Sequence, residues 1–272
     1  ALRDADSSVE VLEWALDTLP VREHNFTALW LHLAKAYLRR RDVERARKTL
    51  GRSIGVRANS RVIRYYVELE TQLGEYERCR QLHRRRLELF TDDAQAWIDL
   101  ARFEHSLLET ERARAVFERA LALGLVAQPE QLWKAYIDFE SEAGESGRAR
   151  ALYRRLLEQT KHVKVYVAYA LFEYDAGEHA AMRIVFADAN EHLRAQPHMK
   201  EERAFLLDNW LACERKIGDA EQIARVERIA PRRVKKQRKL ETVDDDGNVV
   251  DYKWEEYVDY VFEDEGASRG LK

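Results

Sequence analysis

The sequence predicts an all-α protein, a right-handed α-solenoid of antiparallel helix pairs with a C-terminal tail. Three observations carry that prediction. Breakers are scarce, with 11 Gly and 4 Pro in 272 residues. Charged residues reach 35%, yet 46% of the residues are hydrophobic and 10% aromatic. That balance is too apolar for wholesale disorder and too poor in turn residues for an all-β fold. Finally, a motif recurs with a period near ~34 residues, which marks arrays of helical hairpins. No apolar run approaches the ~18 residues of a membrane span, so no membrane partner is expected.

Residues 1–23 read as the end of a preceding repeat, and 24–230 as about six repeats. The repeats are anchored at Trp30, Ile63, Trp97, Trp133, Tyr166 and Leu207, with Trp210 one turn into the sixth. Positions 0, +3 and +7 share one helix face, so the anchors belong to the core of each first helix. Gly74, Gly144, Gly177 and Gly218 stand at +11, where a left-handed residue ends a helix. Arg41 and Leu108 take that offset in the other two repeats. The second helix then starts near +13. It carries Arg47, Arg80, Arg114, Arg150 and Arg183 at +17, and Leu50, His83, Phe117, Tyr153 and Phe186 at +20. Phe117, Tyr153 and Phe186 join the anchors as repeat core, and His83 is expected as a packed histidine. One hairpin cannot cover its own apolar face, and stacked neighbours do.

Glu70, Glu104, Glu140, Glu173 and Glu214 recur at +7. Their recurrence with the +17 arginines predicts charge pairs between the two helices of one repeat, for example Glu140 with Arg150. Repeat one departs, with Tyr37 at +7. The two cysteines, Cys79 and Cys213, lie far apart and form no metal or disulfide motif, so both are expected as buried thiols in a reducing compartment.

The net charge of −3 hides an uneven distribution. Arg232, Arg233, Lys235, Lys236, Arg238 and Lys239 form a basic run, while residues 241–272 hold eleven acidic and three basic side chains. Such a run reads as a nuclear import signal or as an RNA-backbone contact. Arg39–Arg41 and Arg84–Arg86 are further basic clusters, which as helix residues read mainly as solvated faces. After a turn expected over 244–248, Trp254, Tyr257, Val258 and Val261 fall at helical spacing. This segment either docks on a partner or folds back over the last hairpin.

No P-loop, GxGxxG, GxSxG or HExxH pattern occurs, and no histidine or cysteine pair has ligand spacing. No catalytic, cofactor or metal residues are therefore expected, nor a small-molecule substrate.

A Trp opening the first helix, Tyr or Leu at +3, Phe-Glu at +6/+7 and Ala-Arg in the second helix resemble the half-a-TPR (HAT) family. Closer matches are Glu109-Thr-Glu-Arg-Ala-Arg-Ala-Val-Phe-Glu118, Leu132-Trp-Lys-Ala-Tyr-Ile-Asp-Phe-Glu140, Ala230-Pro-Arg-Arg-Val-Lys-Lys-Gln-Arg-Lys239 and Trp254-Glu-Glu-Tyr-Val-Asp-Tyr-Val-Phe262. These resemble the C-terminal half of crooked neck-like pre-mRNA splicing factors. The resemblance implies a nuclear scaffold of the spliceosome's nineteen complex, not an enzyme. Its implied partners are a second HAT-repeat scaffold and a Myb-domain subunit, with weak RNA contact as a further expectation. The alternatives are a HAT-repeat scaffold of mRNA 3′-end processing and a direct RNA-binding helical-repeat protein.

Overall fold

The computed structural model describes residues 2–20, 25–124, 126–127, 129–243 and 249–263. Residues 21–23 of the amino-terminal segment and the turn expected over 244–248 lie outside the described residues. Among these, thirteen α-helices precede one β-hairpin. The chain divides into two compact units, Ala1–Gly144 and Glu145–Lys272.

The first unit runs α1 (Leu2–Thr18), α2 (Thr27–Arg39), α3 (Val43–Val56), α4 (Ser60–Gln72), α5 (Tyr76–Leu89), α6 (Ala94–Ser106), α7 (Thr110–Leu123) and α8 (Pro129–Glu142). The second runs α9 (Ser146–Thr160), α10 (Val163–Asp175), α11 (His179–Arg194), α12 (Lys200–Ile217), α13 (Ala220–Ile229), β1 (Arg232–Val243) and β2 (Val249–Val261).

Hairpin geometry repeats because the turn chemistry repeats. All six +11 residues are left-handed: Arg41, Gly74, Leu108, Gly144, Gly177 and Gly218 have φ of 61°, 76°, 63°, 75°, 78° and 83°. The backbone keeps this conformation even where the residue is not glycine. The residue after it closes the helix end. Asp42, Glu75, Glu109 and Glu178 donate their backbone N–H to the carbonyls of Tyr37, Glu70, Glu104 and Glu173, at 2.9–3.0 Å. These +12 residues then serve as N-caps of the second helices, together with Glu145 and Asp219. An acid there sits well against the positive end of the helix dipole.

Within a hairpin, small residues let the two helices approach. Ala46, Cys79 and Ala113 at +16 are fully buried, as are Ala34 and Ala101 at +4. The Cys79 thiol lies 3.7 Å from the Val67 carbonyl of its own hairpin. Burial raises the thiol pKa of both Cys79 and Cys213, which leaves them as apolar filler.

Successive hairpins meet through aromatic stacks. Phe117 lies on Tyr136 at 4.7 Å, Tyr153 on Tyr169 at 4.8 Å and Phe186 on Trp210 at 5.5 Å, with ring planes within 13°. In each, the +20 side chain meets the +3 side chain of the next repeat. The anchors Trp30, Trp97 and Trp133 are buried, as is Trp210, and Tyr166 is half-buried. Along α13, Ala224 occupies +17 and Glu227 occupies +20, so its outer surface lacks the side chains that make this contact elsewhere.

The tail differs from the helical spacing expected for it. β1 and β2 pair antiparallel, from Arg232 opposite Val261 to Val243 opposite Val249. β-Branched and aromatic residues dominate the second strand, and alternation places its even-numbered residues on one face.

Leu108 is 89% exposed in a left-handed conformation. Replacing it by glycine removes strain without losing a contact. Leu108→Gly is expected to raise unfolding stability by about 0.5–1 kcal/mol, whereas Gly177→Ala is expected to lower it by a similar amount. Urea denaturation of the two variants checks both signs.

Candidate functional site

The recurrent Glu and Arg positions form the most regular polar feature of the protein. Each arginine presents Nε and Nη2 side-on to one carboxylate. Arg47 meets Glu70 at 2.8 and 2.7 Å, Arg80 meets Glu104 at 3.0 and 3.0 Å, and Arg114 meets Glu140 at 2.8 and 2.8 Å. In the second unit Arg150 meets Glu173 at 2.9 and 2.9 Å, and Arg183 meets Glu214 at 2.8 and 2.8 Å.

The partners differ from those expected. Each arginine reaches forward to the next repeat rather than across its own hairpin, so Glu140 takes Arg114 and Arg150 goes to Glu173. The reason is axial register. A +17 residue on the second helix stands level with +7 of the following antiparallel helix, and +20 stands level with +3. The same glutamate therefore closes its helix through its carbonyl and ties the next seam through its carboxylate.

Every one of these carboxylates is buried. Hydrogen bonding to Glu70, Glu104 and Glu140 drives the pKa of Arg47, Arg80 and Arg114 upward, so the cations stay charged. Glu44, Glu77 and Glu111, one turn back on the same helices, also bind these arginines. In the second unit Gly147 and Ala180 occupy that place, and Asp219 supplies a second partner to Arg183 at 3.1 Å.

Repeat one resolves in the same terms. Tyr37 donates its hydroxyl to Glu13 of α1. Glu13 stands where the other seams have arginine, and Leu16 fills the place of the +20 residue at 1% exposure. Burial and the hydrogen bond to Glu13 raise the Tyr37 pKa to about 12, so the rung is a neutral donor on a carboxylate. A groove of about 450 Å³ beside it is lined by Trp30, Tyr37, Asp17, Arg45, Lys48 and Arg52 among others. Arg52 bonds Asp17 across it at 2.8 Å.

Arg84–Arg86 do not form one solvated face. Arg86 is 1% exposed and bonds Asp99 at 2.5 Å, Ser60 at 2.9 Å and Asp93 at 3.3 Å. It ties the N-terminal ends of α4 and α6 to α5. Arg85 pairs with Glu88 at 3.0 Å.

His83 lies beside this cluster at 3% exposure, 5.2 Å from the Phe103 ring. Burial first, then the Arg86 charge, lower its pKa to about 4, against the pull of Asp99 and Glu104.

In the tail, the basic run lies on strand β1. Lys236 pairs with Asp259 at 2.5 Å, Arg238 with Glu255 at 2.6 Å, Arg232 with Glu263 at 2.5 Å and Arg233 with Asp208 of α12 at 2.7 Å. Lys239 stands opposite Trp254 in the register. Phe262 is buried against the helices with the Arg203 guanidinium 4.1 Å above its ring. Arg203 is itself 1% exposed and bonds Asn190 at 2.9 Å. Trp254, Tyr257, Val258 and Val261 remain 63%, 36%, 43% and 42% exposed. The Phe262 anchor was not singled out in the sequence, although its place at the end of an aromatic, β-branched run is the signal for it.

Similarity to known proteins covers the same segments. A family model described as the PRP39 N-terminal HAT repeat matches residues 18–173. Crooked neck-like protein 1 of Homo sapiens is 38% identical over 270 residues, covering 98% of this chain and 31% of that protein. Protein crooked neck of Drosophila melanogaster is 41% identical, covering 99% of this chain and 39% of that protein. Pre-mRNA-splicing factor clf1 of Aspergillus fumigatus is 39% identical, covering 96% of this chain and 40% of that protein. The chain thus spans 31–40% of the length of these relatives.

Two measurements test the seam. Arg114→Leu leaves Glu140 buried without a countercharge and is expected to cost about 3–5 kcal/mol. Glu140→Leu in the same chain should restore much of that loss. A double-mutant cycle is expected to show at least about 2 kcal/mol of coupling, and none would separate the two residues energetically.

For His83, the folded pKa lies below the unfolded value of 6.5. The unfolded chain therefore takes up the proton first as pH falls, and stability is lost from about pH 6.5 down towards 4. Between pH 7 and 5 the protein is expected to lose about 2 kcal/mol more than its His83→Phe variant, read by urea denaturation at each pH.

Proposed function

Because this chain belongs to the HAT-repeat family and is similar over nearly its whole length to crooked neck-like and clf1 splicing factors, we propose that it is a scaffold segment of the pre-mRNA splicing machinery. That similarity is the observation that carries the reading. In this proposal the protein works within the spliceosomal nineteen complex, holding a second HAT-repeat scaffold and a Myb-domain subunit by geometry rather than by catalysis. The placement of the charged groups supports it. The recurrent carboxylates are engaged by arginines along the seams, where they keep register between hairpins.

The same placement favours protein partners over direct RNA binding. Arg86 is interior, and four cations of the basic run already carry carboxylate partners. We place the protein in the nucleus, with Arg232, Arg233, Lys235, Lys236, Arg238 and Lys239 as the import determinant, recognised in the open chain rather than the paired strand.

Affinity purification of the tagged chain from growing cells tests the proposal. Spliceosomal small nuclear RNAs and proteins are expected to be recovered about tenfold or more above a tag-only control, the enrichment that a specific partner gives over background. Recovery at the control level would remove the splicing reading.

A further inference from the structure

Positive charge is concentrated in the first hairpin beyond what the seams neutralise. Residues 27–59, which include α2 and α3, carry nine basic and two acidic side chains. Arg47 pairs with Glu70, Arg45 with Asp42 and Arg52 with Asp17. Lys35 and Arg39 of α2 have no ion pair among the described residues, and neither do Arg61 and Arg64 at the start of α4.

These four cations share one exposed strip. Lys35 and Arg39 lie about one turn apart on one face of α2, and Arg61 and Arg64 are neighbours on one face of α4. Tyr65 joins the two helices. The Lys35 ammonium stands 5.3 Å over its ring. Burial and then Glu68 raise the Tyr65 pKa, while Arg39 lowers it, so Arg39 and Glu68 flank the same hydroxyl. Glu68 is the one exposed acid on either helix, since α2 has none and Glu70 is buried against Arg47.

Other first helices of this unit are balanced at the same positions. Gln95, Asp99 and Arg102 stand there in α6, and Gln131, Lys134 and Asp138 in α8. On α2 and α4 like charges are instead set three and four residues apart, which costs stability in the free protein and is relieved by an anionic partner. Two observations select carboxylates over a nucleic-acid backbone. Tyr65 is the one aromatic of these helices that is not buried, and Lys35 covers it, so bases have no open ring to stack on. Glu68 interrupts the strip. A chain charged at every nucleotide is repelled there, whereas a protein segment places a neutral residue opposite it.

We propose that the face of α2 and α4 bearing Lys35, Arg39, Arg61 and Arg64 is a docking surface for an acidic segment of a partner protein. Its carboxylates meet the exposed guanidinium groups in the side-on geometry that Arg114 and Glu140 show within the seam. The proposal does not depend on the splicing role.

Fluorescence anisotropy of a labelled oligoglutamate of about eight residues, titrated with the complete 272-residue chain at low salt, tests it. Binding is expected, and it should weaken about tenfold or more in Arg39→Glu and in Arg64→Glu. It should stay unchanged in Lys48→Glu, which makes the same charge change on α3 in the groove beside Glu13. All three residues are exposed, so thermal melts of the variants should match the parent. The proposal is overturned if oligoglutamate does not bind, if binding survives Arg39→Glu and Arg64→Glu, or if Lys48→Glu weakens it equally. It is equally overturned if oligouridylate of the same length binds this face more tightly, which would assign it to nucleic acid. A doubled mass in light scattering that Arg39→Glu abolishes would assign it to a second copy and overturn it too.

Discussion

A buried carboxylate whose countercharge comes from another repeat is the constraint on which the helical part of this protein depends. Each of five hairpins offers a glutamate of 0–6% exposure that is neutralised by the arginine of the hairpin before it. A pure apolar seam tolerates sliding and rotation at little cost. A carboxylate held between two apolar layers does not, because displacement by a fraction of a helical turn leaves it desolvated and unpaired. The aromatic stacks one turn away supply contact area, and the ion pair selects the register in which they meet. The net stabilisation from such a pair is small compared with the penalty for breaking it, so its role is specification more than strength.

Much of this was legible in the sequence, and the parts that were not share a physical cause. The left-handed turn, the anchors and the charged offsets follow from spacing alone, since 3.6-residue periodicity determines which residues share a face. The direction of pairing does not. In a strictly periodic array, +7 and +17 lie at one height whether the partner belongs to the same hairpin or the next, and only packing decides between them. Glu13 was hidden for another reason. It lies outside the repeated segments and plays the arginine's part with opposite charge, which a search for like residues passes over. The acids at +12 stand in all six repeats as Asp42, Glu75, Glu109, Glu145, Glu178 and Asp219, but only the turn geometry gives them a role.

The tail shows how a short segment can satisfy two periodicities. Trp254, Tyr257, Val258 and Val261 fit a helix face, but Trp254, Val258, Tyr260 and Phe262 equally fit one side of a strand. Composition decides between them: Tyr, Val and Trp favour the pleated surface, and a basic strand facing an acidic one gives register through opposite charges. The uneven charge distribution along the chain is therefore a folding instruction. Arg233, Lys236 and Arg238 of β1 find their counterions in α12 and β2, so opposite charges far apart in sequence meet in space.

The seam also bears on how such an array grows. Every internal repeat carries both halves of the connection, a glutamate facing backward and an arginine facing forward, so duplication of a whole unit inserts a hairpin that matches neighbours on both sides. The hairpin of α12 and α13 breaks this symmetry. It receives Arg183 through Glu214 but presents Ala224 and Glu227 at the forward offsets. A copy spliced in after it would bury its glutamate against Ala224 without a countercharge and set its +3 aromatic against Glu227. Gene duplication can thus lengthen the array from within but not past this hairpin, where length is limited by electrostatics.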